Sequence, residues 1–338
     1  MPLDAHTPHP FSRFVAILGR GKTKQRHLTL EESSEAMAMI LAGDVLPEQL
    51  GAFLMLLRLK EESPEEIAGF VQATRATFEL PDDPVAVDID WSSYAGKRSH
   101  LPWFLLSVAV LVGSGHRVAM HGTEGHTAGR VYTRDLLPML GFPVAGSLTE
   151  AADQVGETGF TYIPLEVLSP RLRELINLRP IFGLRSPVHT FSRMLNPFDA
   201  PVMMQGIFHR GFMDIHSGAA QILDQPSMAV FRGEGGEIER RPNKPVQVWT
   251  THGQAGPHVE TWPALIGDTY QPAAEDMSPQ KMLAVWRGDV EDPYALASIT
   301  GTLAVALRTM GRAENIETAD ALAAELWEHR DRRALPAP

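Results

Sequence analysis

Apolar residues recur at helical spacing through residues 11–80, and Leu50, Phe53, Leu54, Leu57 and Leu59 make the clearest stripe. Helix starts flank it on both sides. Thr29-Leu30-Glu31-Glu32 has the T-x-x-E form of a capping box, in which the hydroxyl accepts a free amide and the glutamate reaches back. Ser63-Pro64-Glu65-Glu66 repeats the device with proline at the first helical position. The stripe predicts either core or a subunit interface.

Residues 81–90, with Pro81-Asp82-Asp83-Pro84, read as a linker, and beyond them the pattern changes. Val85, Val87 and Ile89 alternate as in a strand. Residues 101–113 predict a buried helix, 116–121 a strand, Gly122-Thr123-Glu124-Gly125 a turn, and 133–140 a helix stopped by Gly141. Short apolar runs at 161–164, 202–208 and 228–232 predict more strands, and 278–330 read as helical. The alternation predicts an α/β fold: a small helical N-terminal domain at 1–80, then an α/β domain at 81–338 with a mainly parallel central sheet and surrounding helices.

Composition narrows the chemistry. Among 338 residues there is no cysteine, which removes disulfides, thiolate nucleophiles and thiolate metal sites, and fits a cytoplasmic home. The first thirteen residues lack the cationic start and apolar core of a signal peptide, and no apolar run is long enough to cross a bilayer, so no membrane partner is expected. A formal net charge of −11 argues against blanket affinity for polyanions and requires any such site to be a local basic cleft.

Three cationic stretches qualify. Gly19-Arg20-Gly21-Lys22-Thr23-Lys24-Gln25-Arg26 lacks P-loop spacing and reads equally as a phosphate-binding loop or a solvated turn. Tyr94-Ala95-Gly96-Lys97-Arg98-Ser99-His100 follows a candidate strand, where α/β sheets hold ligands. Arg240-Arg241-Pro242-Asn243-Lys244 is the third. Just before it, Gly233-Glu234-Gly235-Gly236-Glu237 reads as an exposed hairpin or, with less support, a magnesium–phosphate site. Arg185 and Arg193 suit clamping a carboxylate or phosphate, or tying their own loop down. His116, His121 and His126 recur every five residues, a spacing that does not put them on one helix face for a metal.

Several of these segments resemble one family. The run from Leu28 to Arg75, with Gln49-Leu50-Gly51-Ala52-Phe53-Leu54 and Glu65-Glu66-Ile67-Ala68-Gly69, resembles the helical N-terminal domain of anthranilate phosphoribosyltransferase and pyrimidine nucleoside phosphorylase. Val118-Ala119-Met120-His121-Gly122-Thr123 resembles that family's Val-Ala-Lys-His-Gly-Asn turn. Gly183-Leu184-Arg185 through Leu195-Asn196-Pro197, and Trp286-Arg287-Gly288, resemble two further family motifs. The resemblance implies a homodimer joined through the helical domain and a cleft that takes phosphoribosyl pyrophosphate with magnesium. It also implies cleft roles for His121, Gly122, Thr123, Arg185 and Arg193.

The pyrophosphate motifs depart from the pattern. The family's G-T-G-G-D loop falls at Ser92 to Lys97, and its N-x-S-T hydroxyls fall at Pro102, Phe104 and Leu105. Met120 replaces the lysine, Thr123 the asparagine, and the magnesium-organising acid pair becomes Glu237-Ile238, leaving Glu237 as the one weak metal candidate. These changes resemble the YbiB-type branch, which implies nonspecific nucleic-acid binding rather than anthranilate chemistry. The expectation is therefore a homodimer that binds single-stranded DNA or RNA through Arg20, Lys22, Lys24, Arg26, Lys97, Arg98, Arg240, Arg241 and Lys244. No cofactor is expected. The alternative is an active pentosyl transferase with a changed donor or acceptor, and only then magnesium (Mg2+). A continuous positive groove would favour the first, and a closed pocket lined by Arg185 and His121 the second.

Overall fold

The computed structural model describes residues 7–21, 23–82, 85–267, 277–333 and 335. The helical domain holds α1 (Ser12–Gly19), α2 (Leu30–Ala42), α3 (Pro47–Lys60) and α4 (Pro64–Arg75). Both capping boxes form: the Thr29 and Ser63 hydroxyls accept from the Glu32 and Glu66 amides, and each glutamate returns a bond to its cap. Leu50, Phe53, Leu54 and Leu57 are packed inside the chain, so the stripe is core. Leu59 is 84% exposed and leaves the stripe. Its spacing explains this, because position 59 is only two residues past Leu57 and so points away.

The α/β domain is one seven-stranded sheet in the order β3-β2-β1-β4-β5-β6-β7. Its strands are β1 (Ile89–Ser93), β2 (Val118–Gly122), β3 (Phe160–Pro164), β4 (Val202–Ile207), β5 (Ser227–Arg232), β6 (Val246–His252) and β7 (Ala255–Trp262). The first five are parallel, while β6 and β7 add an antiparallel hairpin at one edge. The expected first strand begins at Ile89 rather than Val85, and the expected helix at 133–140 is a single turn, Thr133–Leu136.

Alternation along the strands feeds two cores. Ile89, Trp91, Val202, Met204, Ala229 and Phe231 face α5 (Phe104–Gly113) and the C-terminal helices. Met203, Ile207, Met228 and Val230 face the other way and join the core of the helical domain. Helix α5 is buried all round from Phe104 to Leu111, as its unbroken apolar run requires. On the opposite face α4 packs on α6 (Phe212–Ile222), and the Phe70 ring lies 5.4 Å from Phe191. Strand order reverses between β1 and β4, so their carboxyl ends open a crevice at a topological switch point.

Candidate functional site

That crevice is lined by Ala95 after β1, Gly206 to His209 at the end of β4, Gly235 and Gly236 after β5, and Arg185, Ser186, His189 and Arg193. Arg58 and Glu62 close it from the helical domain. The pocket thus lies between the two domains and brings together residues far apart in sequence.

Its interior is short of partners. Glu62 Oε2, Ser186 Oγ, His189 Nε2 and His216 Nδ1 are buried and have no hydrogen-bond partner among the described residues. Burial pushes the Glu62 carboxyl up to about 7. It pushes His189 down to about 3, with Arg185 adding to the effect, and His216 down to about 3, with Arg193 adding. Burial, then the nearby Arg193, Arg179 and Arg130, brings the Arg185 guanidinium down to about 10. A carboxyl and imidazoles perturbed inside a cleft mark a candidate binding site. Glu62, His216 and Arg58 carry no sequence signal beyond a lone polar residue near a helix end or on an apolar face, and the motifs miss them.

Four expected site residues serve the structure instead. Lys97 is 1% exposed and donates to Glu239 at 2.6 Å, so it is a buried ion pair and not a surface cation. Arg240 is 0% exposed, donates to Asp320 at 3.2 Å and to the Pro263 carbonyl at 2.5 Å, and lies 4.8 Å over the Trp262 ring. Arg193 reaches the cleft wall but commits its guanidinium to the carbonyls of His189, Gly206 and Gly236. It ties its loop down, and to carbonyls rather than acids. Glu237 is buried and accepts from the Ala95 and Gly96 amides and the Ser93 hydroxyl, so it is neither an exposed hairpin residue nor a free metal ligand.

The His-Gly-Thr turn is also internal. His121 shares a 2.8 Å hydrogen bond with the Tyr94 hydroxyl and lies 3.4 Å from Asp90. A Cβ on Gly122 would sit 2.0 Å from the Ser93 carbonyl oxygen, so only glycine fits. The Thr123 hydroxyl accepts from Arg173. None of the three lines the crevice; only Arg185 and Arg193 of the expected cleft residues do.

The remaining cations divide further. Arg20, Lys24, Arg98 and Lys244 are exposed, while Arg26 makes a two-pronged pair with Glu32 at 2.6 and 2.7 Å. Lys22 lies outside the described residues. A second depression, beside the crevice, is lined by Arg210, Arg232, Arg241 and Lys244, with no acid among the described residues of its wall. Phe208, which lines the crevice, is 47% exposed, and the guanidinium of Arg232 from this depression lies 5.5 Å over its ring. Arg210, Arg232 and Phe208 carry no sequence signal: Arg232 ends β5, and Phe208 and Arg210 follow β4 in a short loop without a cationic run.

A magnesium-bound pyrophosphate does not fit these residues. The carboxylate aligned with the acid pair, Glu237, is committed to the loop amides, and the neighbouring Glu239 is committed to Lys97 and the Phe104 amide. Among the described residues no group of three or more histidine or acidic side chains is placed to hold a metal.

The architecture, a helical domain docked on an α/β domain, is similar to that of known glycosyl transferases. Residues 16–78 match the helical bundle domain of the glycosyl transferase family. Anthranilate phosphoribosyltransferase of Saccharolobus islandicus is 27% identical over 64% of this chain, and that of Dictyoglomus thermophilum is 29% identical over 63%. The matched part spans 61% and 63% of those relatives' own lengths. Among solved structures, the Thermus thermophilus anthranilate phosphoribosyltransferase superposes with a TM-score of 0.78 at 22% identity, covering 97% of each chain. The Saccharomyces cerevisiae enzyme in complex with PRPP and Mg gives 0.76 at 15% identity, covering 95% of this chain and 94% of that one. The chain is thus similar to anthranilate phosphoribosyltransferases in sequence over about two thirds of its length and in fold over nearly all of it, and none of these likenesses singles out the YbiB-type branch.

Proposed function

We propose that this chain is a nucleic-acid-binding protein built on a phosphoribosyltransferase-type scaffold, and that it works as a homodimer. One observation carries the reading: Arg210, Arg232 and Lys244 are exposed around one depression whose described lining holds no acid, next to the exposed Phe208 ring. A cationic groove beside an exposed aromatic is how proteins hold single strands without sequence preference: the cations track phosphates and the ring stacks on a base. The overall charge of −11 opposes approach at long range, but screening confines that repulsion to about 8 Å at physiological salt. The commitment of Glu237 and Glu239 supports loss of the phosphoribosyl reaction, because both acids near the donor loop are already used.

Binding of a fluorescent single-stranded oligonucleotide, measured against salt, tests this. Log affinity is expected to fall with log salt at a slope near 0.7 per phosphate contact. Replacing Arg210, Arg232 and Lys244 by alanine should flatten that slope by about 2, and Phe208→Ala should weaken binding at every salt concentration. Absence of wild-type binding at ~50 mM salt, where phosphate contacts are favoured, would overturn the reading.

The inter-domain cleft favours a second reading, pentosyl transfer with an altered donor or acceptor. Its unpartnered Glu62, Ser186, His189 and His216 atoms, facing Arg185, suit a small anionic ligand. Release of phosphate or pyrophosphate from a panel of pentosyl donors, abolished by Arg185→Ala, would favour that reading instead.

A further inference from the structure

The segment after β5 carries two carboxylates into a part of the chain 142 and 135 residues earlier. One oxygen of Glu237 accepts from the Ala95 and Gly96 amides at 2.5 Å, and the other accepts from the Ser93 hydroxyl at 3.0 Å. Glu239 accepts from Lys97 at 2.6 Å with one oxygen and from the Phe104 amide at 2.9 Å with the other. Phe104 is the first residue of α5.

Successive amides in a tight turn, here with Gly96 at φ +67°, form a concavity that binds free oxyanions, and so does the start of a helix. In this chain both devices are loaded by side chains that are 0% exposed. The seat is shaped to receive them. A Cβ on Gly206 would lie 2.5 Å from the Glu237 carbonyl, and one on Gly233 would lie 1.6 Å from its oxygen. Both positions must therefore be glycine for the backbone of Glu237 to come this close.

We propose that Glu237 and Glu239 act as a built-in pseudo-ligand: their carboxylates fill a two-point oxyanion site, the 95–96 amides and the α5 start, and close it to free phosphate or pyrophosphate. The carboxylates are already fixed in place, with the entropy of positioning lost on folding, so a millimolar free anion does not displace them. With the Glu237 carboxylate removed, the same amides and the Ser93 hydroxyl, itself 2.7 Å from the Thr133 hydroxyl, stand ready for a tetrahedral oxyanion. The inference does not depend on nucleic-acid binding, because Arg210, Arg232 and Lys244 line a different depression.

The probe is inorganic pyrophosphate, read by residue-resolved amide NMR and by thermal unfolding of the full chain. In the wild type the Ala95 and Gly96 signals should not move at millimolar pyrophosphate. In Glu237→Ala they should shift, and the melting temperature should rise by about 2 °C at ten times the dissociation constant. Glu237→Gln keeps the volume and an amide-accepting oxygen, and should stay closed. Movement of these signals in the wild type, or none in a folded Glu237→Ala, overturns the proposal. Should that variant not fold, Ser93→Ala removes one donor to the carboxylate and leaves both amides in place. Pyrophosphate should then perturb the two signals more than in the wild type, and an equal response overturns the proposal. Anion capture at the basic depression is separable, since it moves signals around Arg232 and Val246 instead.

Discussion

Two sets of cations meet at the carboxyl end of the sheet, and they are used in opposite ways. Lys97, Arg193 and Arg240 lie inside, 1%, 8% and 0% exposed, and each directs its charge at a carboxylate or at carbonyls. Arg210, Arg232 and Lys244 lie outside, around a depression with no acid among the described residues of its wall. Taking a cation out of water costs several kcal/mol, so the inner set persists only because its partners were assembled with it. The outer set has undergone no such desolvation and keeps most of its field for a polyanion. Cation density in a loop therefore says little about binding until the partners are known.

Cutting an inner pair should have the largest effect. Glu239→Ala strands Lys97 as a buried, unpaired charge and removes the acceptor of the Phe104 amide, so urea unfolding should show a loss of about 3–5 kcal/mol. A loss under about 1 kcal/mol would mean that Lys97 behaves as a surface cation, and the contrast would dissolve.

Acid should expose the buried histidines next. His216 is depressed in the folded chain to about 3, first by burial and then by Arg193, against about 6.5 when unfolded. The unfolded state therefore binds the proton first, and stability is full above about pH 6.5 and falls as pH drops toward about 3. Between pH 7 and pH 5 this costs about 2 kcal/mol for one such group, and His189 adds in the same direction. Urea midpoints across that range, compared between wild type and His216→Gln, should show a shallower acid loss in the variant; parallel curves would refute the assignment.

The smallest effect belongs to Arg26. It is exposed and already held by Glu32, so Arg26→Ala should change stability by about 0–1 kcal/mol. Oligonucleotide affinity should also stay unchanged, unlike the loss expected from the Arg232 depression. A strong loss of affinity on Arg26→Ala would return the N-terminal loop to the binding surface.

These contrasts follow what local sequence can carry. The Thr29 and Ser63 caps bond residues three positions away, so the helices they begin are readable directly. The runs behind β2 to β5 are apolar because parallel strands are covered on both faces, which is equally local. The edge hairpin of β6 and β7 was missed although Val246 and Val248 alternate with Gln247 and Trp249. The outer strand is largely exposed, so its residues show no apolar alternation from which the pair could be read. Burial of Lys97 and Arg240 had no local sign, because Glu239 and Asp320 lie 142 and 80 residues further on. The cleft failed for the same reason, since Arg58 and Glu62 meet His189 and His216 only once the helical domain docks.

The separation of Lys97 from Glu239 also sets a clock on synthesis. The lysine is made 142 residues before its carboxylate, and at about 5–20 residues per second the growing chain spends roughly 7–28 s without that partner. The loop amides wait as long for Glu237, also 142 residues ahead of Ala95. Through that interval the five parallel strands, complete by Arg232, can pair while Lys97 still lacks its acid, and a chain released before residue 239 leaves that cation without its carboxylate.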